Sequence, residues 1–563
     1  MILSNFSYYF QKKLNLKYSS LKKSGPSLVL VLISLFFCIP VFIISGSLFL
    51  PFEGVWVHLV DTVLTDYMLN SFLLLIGVGF FSLLLSVIPA WLVTMYKFPA
   101  SNWLQWAILL PMAMPAYIIA YSYTGALDAA GPVQATIRDL TGLGYSEYWF
   151  PEIRSLGGAI TMLSLVLYPY IYLLARATFA EQSVCVLEVS RTLGCNTMSA
   201  FRRVALPLAR PAIIVGLSLV LMETLADYGT VQYFGVSAFT TGIFKTWFGM
   251  DSSLAAAQLS ALLLLFVFVF LFLERRSRKL LAFHHTSNRY SPLLKQELRG
   301  IRAFFAFFVC FTPLLFGFII PIGFLVGHAI EIYSGTIDYS FIRLLSNSIL
   351  LALITSFLAL FVALFLGYIN RNNFSFINKF LIRFISLGYA VPGTVIAIGV
   401  LIPFAWFDNR LDNFLLANFN VSSGLLISGT LFILIFAYLV RFITIPINTV
   451  EAALEKIKPG IDEVAKTNGM SHFNIMRKIH MPIMKGSLLT CSLLVFVDVL
   501  KELPATLILR PFNFNTLAVR TFELANEERL ADAAVPALAI VVAGIIPVIM
   551  ISNSISRSRP GYE

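Results

Sequence analysis

Residues 188–207 read EVSRTLGCNTMSAFRRVALP, and residues 463–482 read EVAKTNGMSHFNIMRKIHMP, the same pattern 275 positions later. The shared positions are Glu188, Gly194, Leu206 and Pro207 in the first copy and Glu463, Gly469, Met481 and Pro482 in the second. Each copy reads as a short amphipathic helix, a glycine able to take the left-handed conformation that stops it, and a second short helix leading to a proline at the start of an apolar run. A helix–glycine–helix elbow that recurs at this distance marks a duplicated chain, with a period far longer than any solenoid unit.

Working outward, other pairs fall into the same repeat. Asn70-Ser71 recurs as Asn347-Ser348 and Pro115 as Pro392, both offset by 277. Phe239, Thr241, Lys245 and Thr246 align with Phe514, Thr516, Arg520 and Thr521 at 275. Between these landmarks the 563 residues are 58% apolar and only 12% charged. A soluble domain has about 45–50% apolar and about 25% charged residues, so a soluble protein is excluded. Twelve long apolar runs can be counted, among them residues 103–126, 211–231, 381–404 and 486–507. They are too long and continuous for barrel strands, and in hydrocarbon a chain must satisfy its backbone internally, which makes them helices.

The expected fold is therefore an all-α integral membrane protein with about 12 transmembrane helices in two tandem six-helix units. The division expected is 1–273 for the first unit with its elbow loop at 179–210, 274–300 for a linker, and 301–563 for the second unit with its elbow loop at 441–485. Six is even, so both units enter the bilayer from one side and are related by a pseudo-twofold axis along the membrane normal. The net charge of +11 follows topology: 31 of the 40 Lys and Arg fall in the termini and in loops on the side of the elbows. That asymmetry predicts both termini in the cytoplasm and makes nucleic acid an unneeded explanation of the charge. The five cysteines are scattered without a CxxC pair and read as small core residues. No metal site is assigned from them or from His284-His285, which reads as part of a solvated linker.

The repeated elbow resembles the EAA motif, Glu-Ala-Ala-x3-Gly-x9-Ile-x-Leu-Pro, of the permease subunits of bacterial ABC importers. Val189-Ser190 and Val464-Ala465 stand for the two alanines and Met481 for the leucine, while Glu, Gly and Pro are kept in both copies. The resemblance implies two type I permease units, each elbow being a coupling loop that docks a cytoplasmic ATPase. It implies two ATPase subunits per fused chain and a soluble periplasmic binding protein that delivers the substrate in the inner membrane of a bacterium. The sequence has no Gly-Lys dipeptide and hence no phosphate-binding loop of the GxxxxGK[ST] kind. No cofactor is expected on this chain: ATP would be used by the partner subunit, and the protein would be a transport permease and not an enzyme.

The stretch Glu223-Thr-Leu-Ala-Asp227-Tyr-Gly-Thr-Val-Gln-Tyr-Phe-Gly-Val, with Leu167-Tyr-Pro-Tyr-Ile-Tyr-Leu-Leu-Ala-Arg176 before it, is similar to the ferric-iron branch of these permeases. Fe3+ transport is what this implies. Permeases for thiamine, polyamine, phosphonate and sulfate share the loops, and a twelve-helix ion-coupled secondary transporter is the rival from another class. The residues add an argument of their own. Glu223 and Asp227 are four apart in the fifth apolar run, and Asp498 and Glu502 repeat them 275 positions later in the eleventh. Acids inside a span are costly and are functional candidates by default. With Tyr228 they offer oxygen ligands of the kind a hard trivalent cation prefers. The competing reading pairs them with Lys245, Lys501 or Arg520 to hold helices together or close a gate.

Overall fold

The computed structural model describes residues 28–145, 147–181, 197–279, 295–336, 338–372 and 375–557. The described residues are helical almost throughout, with one parallel two-residue pairing, Tyr96–Lys97 against Gln296–Glu297. Among the described residues ten helices are long and apolar enough to cross a membrane, and counting each of two further helix pairs, bent by 92° and 47°, as one span gives 12. In chain order the spans are α1 (Leu28–Ser47), α2 (Leu64–Met95), α3 (Ser101–Ala113 with Ala116–Thr141), α4 (Leu156–Glu181), α5 (Leu206–Ala226) and α6 (Ser253–Lys279). The second set is α7 (Ile301–Ile332), α8 (Tyr339–Asn372), α9 (Gly393–Phe419), α10 (Leu431–Phe442 with Thr444–Glu455), α11 (Met481–Leu500) and α12 (Leu530–Arg557). Two tandem sets of six helices are thus the arrangement that the apolar runs led one to expect.

Several boundaries differ from those runs, each for a local reason. Pro115 and Pro392 stand at outright breaks between helices. Pro115 is the N-cap of the helix that begins at Ala116, and Pro392 directly precedes Gly393. A proline disfavours helical backbone in the residue before it, so the chain turns there. The fifth run stops at Ala226 and the eleventh at Leu500, short of residues 231 and 507.

The chain packs into two compact units that do not follow the tandem halves. One comprises Leu350–Val391, Gly399–Val499 and the chain up to Ile43; the other comprises Ile44–Ile349, Pro392–Ile398 and Leu500 onward. In the first, α1 packs on a second-half helix: the rings of Phe36 and Phe37 lie 4.5 and 6.0 Å from that of Phe436 in α10. In the second, the Tyr123 hydroxyl donates to the Phe316 carbonyl of α7 at 2.7 Å. The opening helix of each half is thus packed among helices of the other half. A sequence repeat records how the chain was built, whereas packing depends on which apolar faces meet.

Candidate functional site: the elbows and the helix breaks

The second elbow is described in full. Its first helix, Pro459–Thr467, has Pro at its start and Asp462 in its first turn, where a carboxylate complements the helix dipole. Gly469 ends it with φ +77°. The Gly469 amide donates to the Lys466 carbonyl and the Met470 amide to the Ala465 carbonyl, at 2.9 and 3.1 Å. These bonds satisfy carbonyls that a helix end leaves orphaned. Ser471 caps the next helix, His472–Ile475, by accepting from the Asn474 amide. The outer face of the elbow carries Glu463, Val464 and Phe473; Val464 is 62% and Phe473 66% exposed. Ala465, Ile475 and Met476 face inward.

Both elbows enter the next span through a wide π-helical turn, Phe201–Ala205 before Leu206 and Met476–His480 before Met481. The Leu206 amide bonds to the Phe201 carbonyl and the Met481 amide to the Met476 carbonyl. Pro207 and Pro482 explain the widening, since a proline has no N–H to give and its ring crowds the carbonyl four residues back. Glu188 and Gly194 lie outside the described residues.

What holds the second elbow is a set of side chains far apart in sequence. Arg371, one residue before the end of α8, donates from Nε to Asp462 Oδ2 at 2.7 Å and from its two terminal nitrogens to the Leu454 and Ile457 carbonyls at 2.6 and 3.1 Å. His480 Nε2 lies 2.7 Å from the other oxygen of Asp462, and its ring is 5% exposed. Burial alone would raise the Asp462 carboxyl. Hydrogen bonds from Arg371 and His480, with their charge, more than offset it and hold the group below the ordinary carboxylate range. No spacing in the sequence announces this cluster, because Arg371 and Asp462 are 91 residues apart.

The first elbow's described part is held by rings. Trp91 lies 5.4 Å from Phe179 and 5.1 Å from Phe201 between centroids. Nearby, Arg176 is 5% exposed and donates to the Gln105 carbonyl and side chain at 3.1 and 3.3 Å, with its guanidinium 4.0 Å over the Trp106 ring. Arg441, which follows a matched Tyr-Leu sequence in the second half, is buried as well.

The acids of the fifth and eleventh runs sit at helix breaks. Asp227 is extended (φ −68°, ψ 129°), so it leaves the helical register in which it would share a face with Glu223. Its carboxylate accepts from the Thr230 amide and hydroxyl at 3.0 Å and from the Val231 amide at 3.1 Å. Glu502 repeats the arrangement, accepting from the Ala505 and Thr506 amides at 3.3 Å and from the Thr506 hydroxyl at 3.1 Å. Each thereby caps a short helix, Gly229–Tyr233 or Pro504–Leu509. The two breaks approach each other: a Cβ on Gly229 would lie 2.9 Å both from Leu503 and from Tyr117. Tyr228 stacks on Phe244 at 3.7 Å. Glu223 remains in α5 and Asp498 in α11, and Arg520 pairs with Glu523 at 3.7 Å.

Asn70-Ser71 and Asn347-Ser348 do one job twice. Asn70 donates to the Ser237 carbonyl and Asn347 to the Asn515 carbonyl at 2.9 and 3.2 Å, while Ser71 and Ser348 accept from the Phe239 and Leu517 amides at 3.2 and 2.8 Å. The helices they seat begin at Phe239 and Leu517, an offset of 278. The offset of 275 read from Phe239 and Phe514 is therefore out of register here, because the loop from Arg510 to Thr516 is longer than its first-half counterpart.

Twelve helical spans, a duplicated elbow and paired helix breaks define a fused, two-unit membrane permease. Residues 82–281 and 359–559 each match the family described as binding-protein-dependent transport system inner membrane component. The chain belongs to that family. It is 25% identical over 499 residues to the Fe(3+)-transport system permease protein FbpB 2 of Haemophilus influenzae, covering 87% of this chain and 90% of the relative. The putative ferric transport system permease protein FbpB 1 of the same organism is 23% identical over 71% of this chain and 63% of its own length. The molybdenum transport system permease protein ModB of Escherichia coli K12 is 26% identical over 27% of this chain and 64% of its own length. The chain is a transport permease and not an enzyme.

Proposed function

We propose that this chain is the permease of an ATP-driven importer of ferric iron. The second elbow carries the reading: a glycine-stopped helix pair presents Glu463, Val464 and Phe473 outward, while its inner side is bonded to α8 and α11. That is the form of a rigid arm shaped for another protein's groove. One cytoplasmic ABC ATPase docks at each elbow, two per chain, and hydrolyses the ATP. Both termini and both elbows are on the cytoplasmic side, as the Lys/Arg asymmetry favours. The linker 274–300 joins the halves 1–273 and 301–563, and access alternates as helices of the two repeats move about their pseudo-twofold axis.

Iron is favoured by the relative with Fe(3+) in its name, which is matched over 90% of its length. A periplasmic iron-binding protein hands the ion to a path that passes the two breaks. Glu223, Asp227, Glu502 and Tyr228 are its candidate oxygen donors, with Asp498 the counterpart of Glu223 in the repeat. The test is uptake of radioactive ferric iron by cells carrying the chain with its chromosomal neighbours. Uptake should depend on ATP and stop on Glu223→Gln with Asp227→Asn, while the complex still assembles. Unchanged uptake in that variant sinks the path; uptake driven by the proton gradient without an ATPase sinks the whole reading.

A further inference from the structure

The structure assigns Arg371, Asp462 and His480 as positioning residues that transmit displacement of the second elbow into α8 and α11 through a directional link. This rests on the elbow being the part through which ATP hydrolysis is coupled. The Asp462 carboxylate is the meeting point: one oxygen is bonded to Arg371 at the end of α8, the other to His480 in the turn that opens α11. The same guanidinium holds the Leu454 and Ile457 carbonyls, at the end of α10 and in the turn before the elbow. One side chain thus ties together α8, α10 and the elbow, and His480 adds α11. Tyr368, Lys466 and His472 line the same cleft.

The physical distinction is directionality. Apolar contact is non-directional and tolerates sliding, whereas shifting a partly buried ion pair strips partners from a charge. With Asp462 pulled, α8 and α11 must follow. Among the described residues, no such link stands at the corresponding places of the first half. Arg371, Asp462 and His480 match Thr94, Leu187 and Ala205 at the offsets of 277 and 275. The Thr94 hydroxyl turns back to the Ala90 carbonyl of its own helix at 2.7 Å, and Ala205 has no polar side chain. Leu187 lies outside the described residues. The ring cluster of Trp91, Phe179 and Phe201 takes the place of the ion pair.

The experiment measures iron imported per ATP hydrolysed by the whole complex in proteoliposomes, with ferric iron on its binding protein as the probe. Wild-type complex must first show coupled uptake; if it shows none, the proposed function fails and this inference is not what failed. For Asp462→Asn, ATP hydrolysis should stay within about twofold of wild type while iron per ATP falls roughly tenfold, the equivalent of one charge-assisted hydrogen bond. Asp462→Glu, which keeps the carboxylate, should restore most of the ratio, and Thr94→Val should leave it unchanged. If Asp462→Asn does not assemble, His480→Ala removes only the α11 arm and must itself lower the ratio. An unchanged ratio in an assembled Asp462→Asn complex, or equal losses for Asn and Glu, overturns the assignment; so does an unchanged ratio in His480→Ala.

Discussion

The two elbows share a motif and differ in what cements them. In its described part the first is anchored by three rings, Trp91, Phe179 and Phe201; at the corresponding positions the second has Tyr368, Leu454 and Met476, smaller or more pliant side chains, and is held by Arg371, Asp462 and His480. Ring packing gives strength without direction, and the ion pair gives direction at the cost of desolvation. Duplication followed by divergence has thus left one outline with two kinds of attachment. The residues that define the motif face outward or shape the turn, so the motif itself does not reveal this difference.

The comparison breaks most visibly at Trp91. Trp91→Ala should cost about 4 kcal/mol, in the range for deleting a buried aromatic, seen as a lower thermal midpoint of the purified complex. The matched Tyr368→Ala should cost clearly less, because no ring trio surrounds it; equal losses would show that the two cements are alike. Arg371→Met should cost roughly 3 kcal/mol, since it strands a partly buried carboxylate. Arg371→Met with Asp462→Leu should recover part of that loss, because no carboxylate is then left without its guanidinium. A double variant no more stable than the single one would show that the pair is not what binds the elbow.

Gly469 at φ +77° sharpens the likeness of the two elbows. Gly469→Ala should lose roughly 1–2 kcal/mol through the left-handed strain on a Cβ, and Gly194→Ala should lose the same if the first elbow turns in the same way. A neutral Gly194→Ala would mean that the shared motif closes differently in the first half. The smallest effect is with pH. Asp462 is held below the ordinary carboxylate range, so its contribution is complete above an ordinary Asp value of about 4 and is lost as pH falls through its lowered value. The charged side chains and histidines that line the cleft around Asp462 are Arg371, Lys466, His472 and His480. Hydrogen exchange of residues 459–469, corrected for intrinsic rates, should stay flat from about pH 8 to 5 and rise only below about 4. An equal acid step in residues 197–205 would erase the distinction, since no carboxylate is expected to hold that part.

The sequence by itself determined the number of spans, the duplication, the glycine stop of the second elbow and the proline entry of both. These depend on apolar length, local backbone freedom and missing donors, all properties of neighbouring residues. It also marked Asn70-Ser71 and Asn347-Ser348 as a repeat but not as clamps, because their partners, such as Ser237 and Asn515, are backbone groups 167 and 168 residues away. The tertiary structure alone decided that Asp227 and Glu502 leave the helix to cap the breaks, that the opening helix of each half packs among helices of the other, and that Arg371 reaches Asp462. Helical spacing cannot foresee a helix that ends. A charge pair between distant segments has no signature in the chain until packing brings the two together.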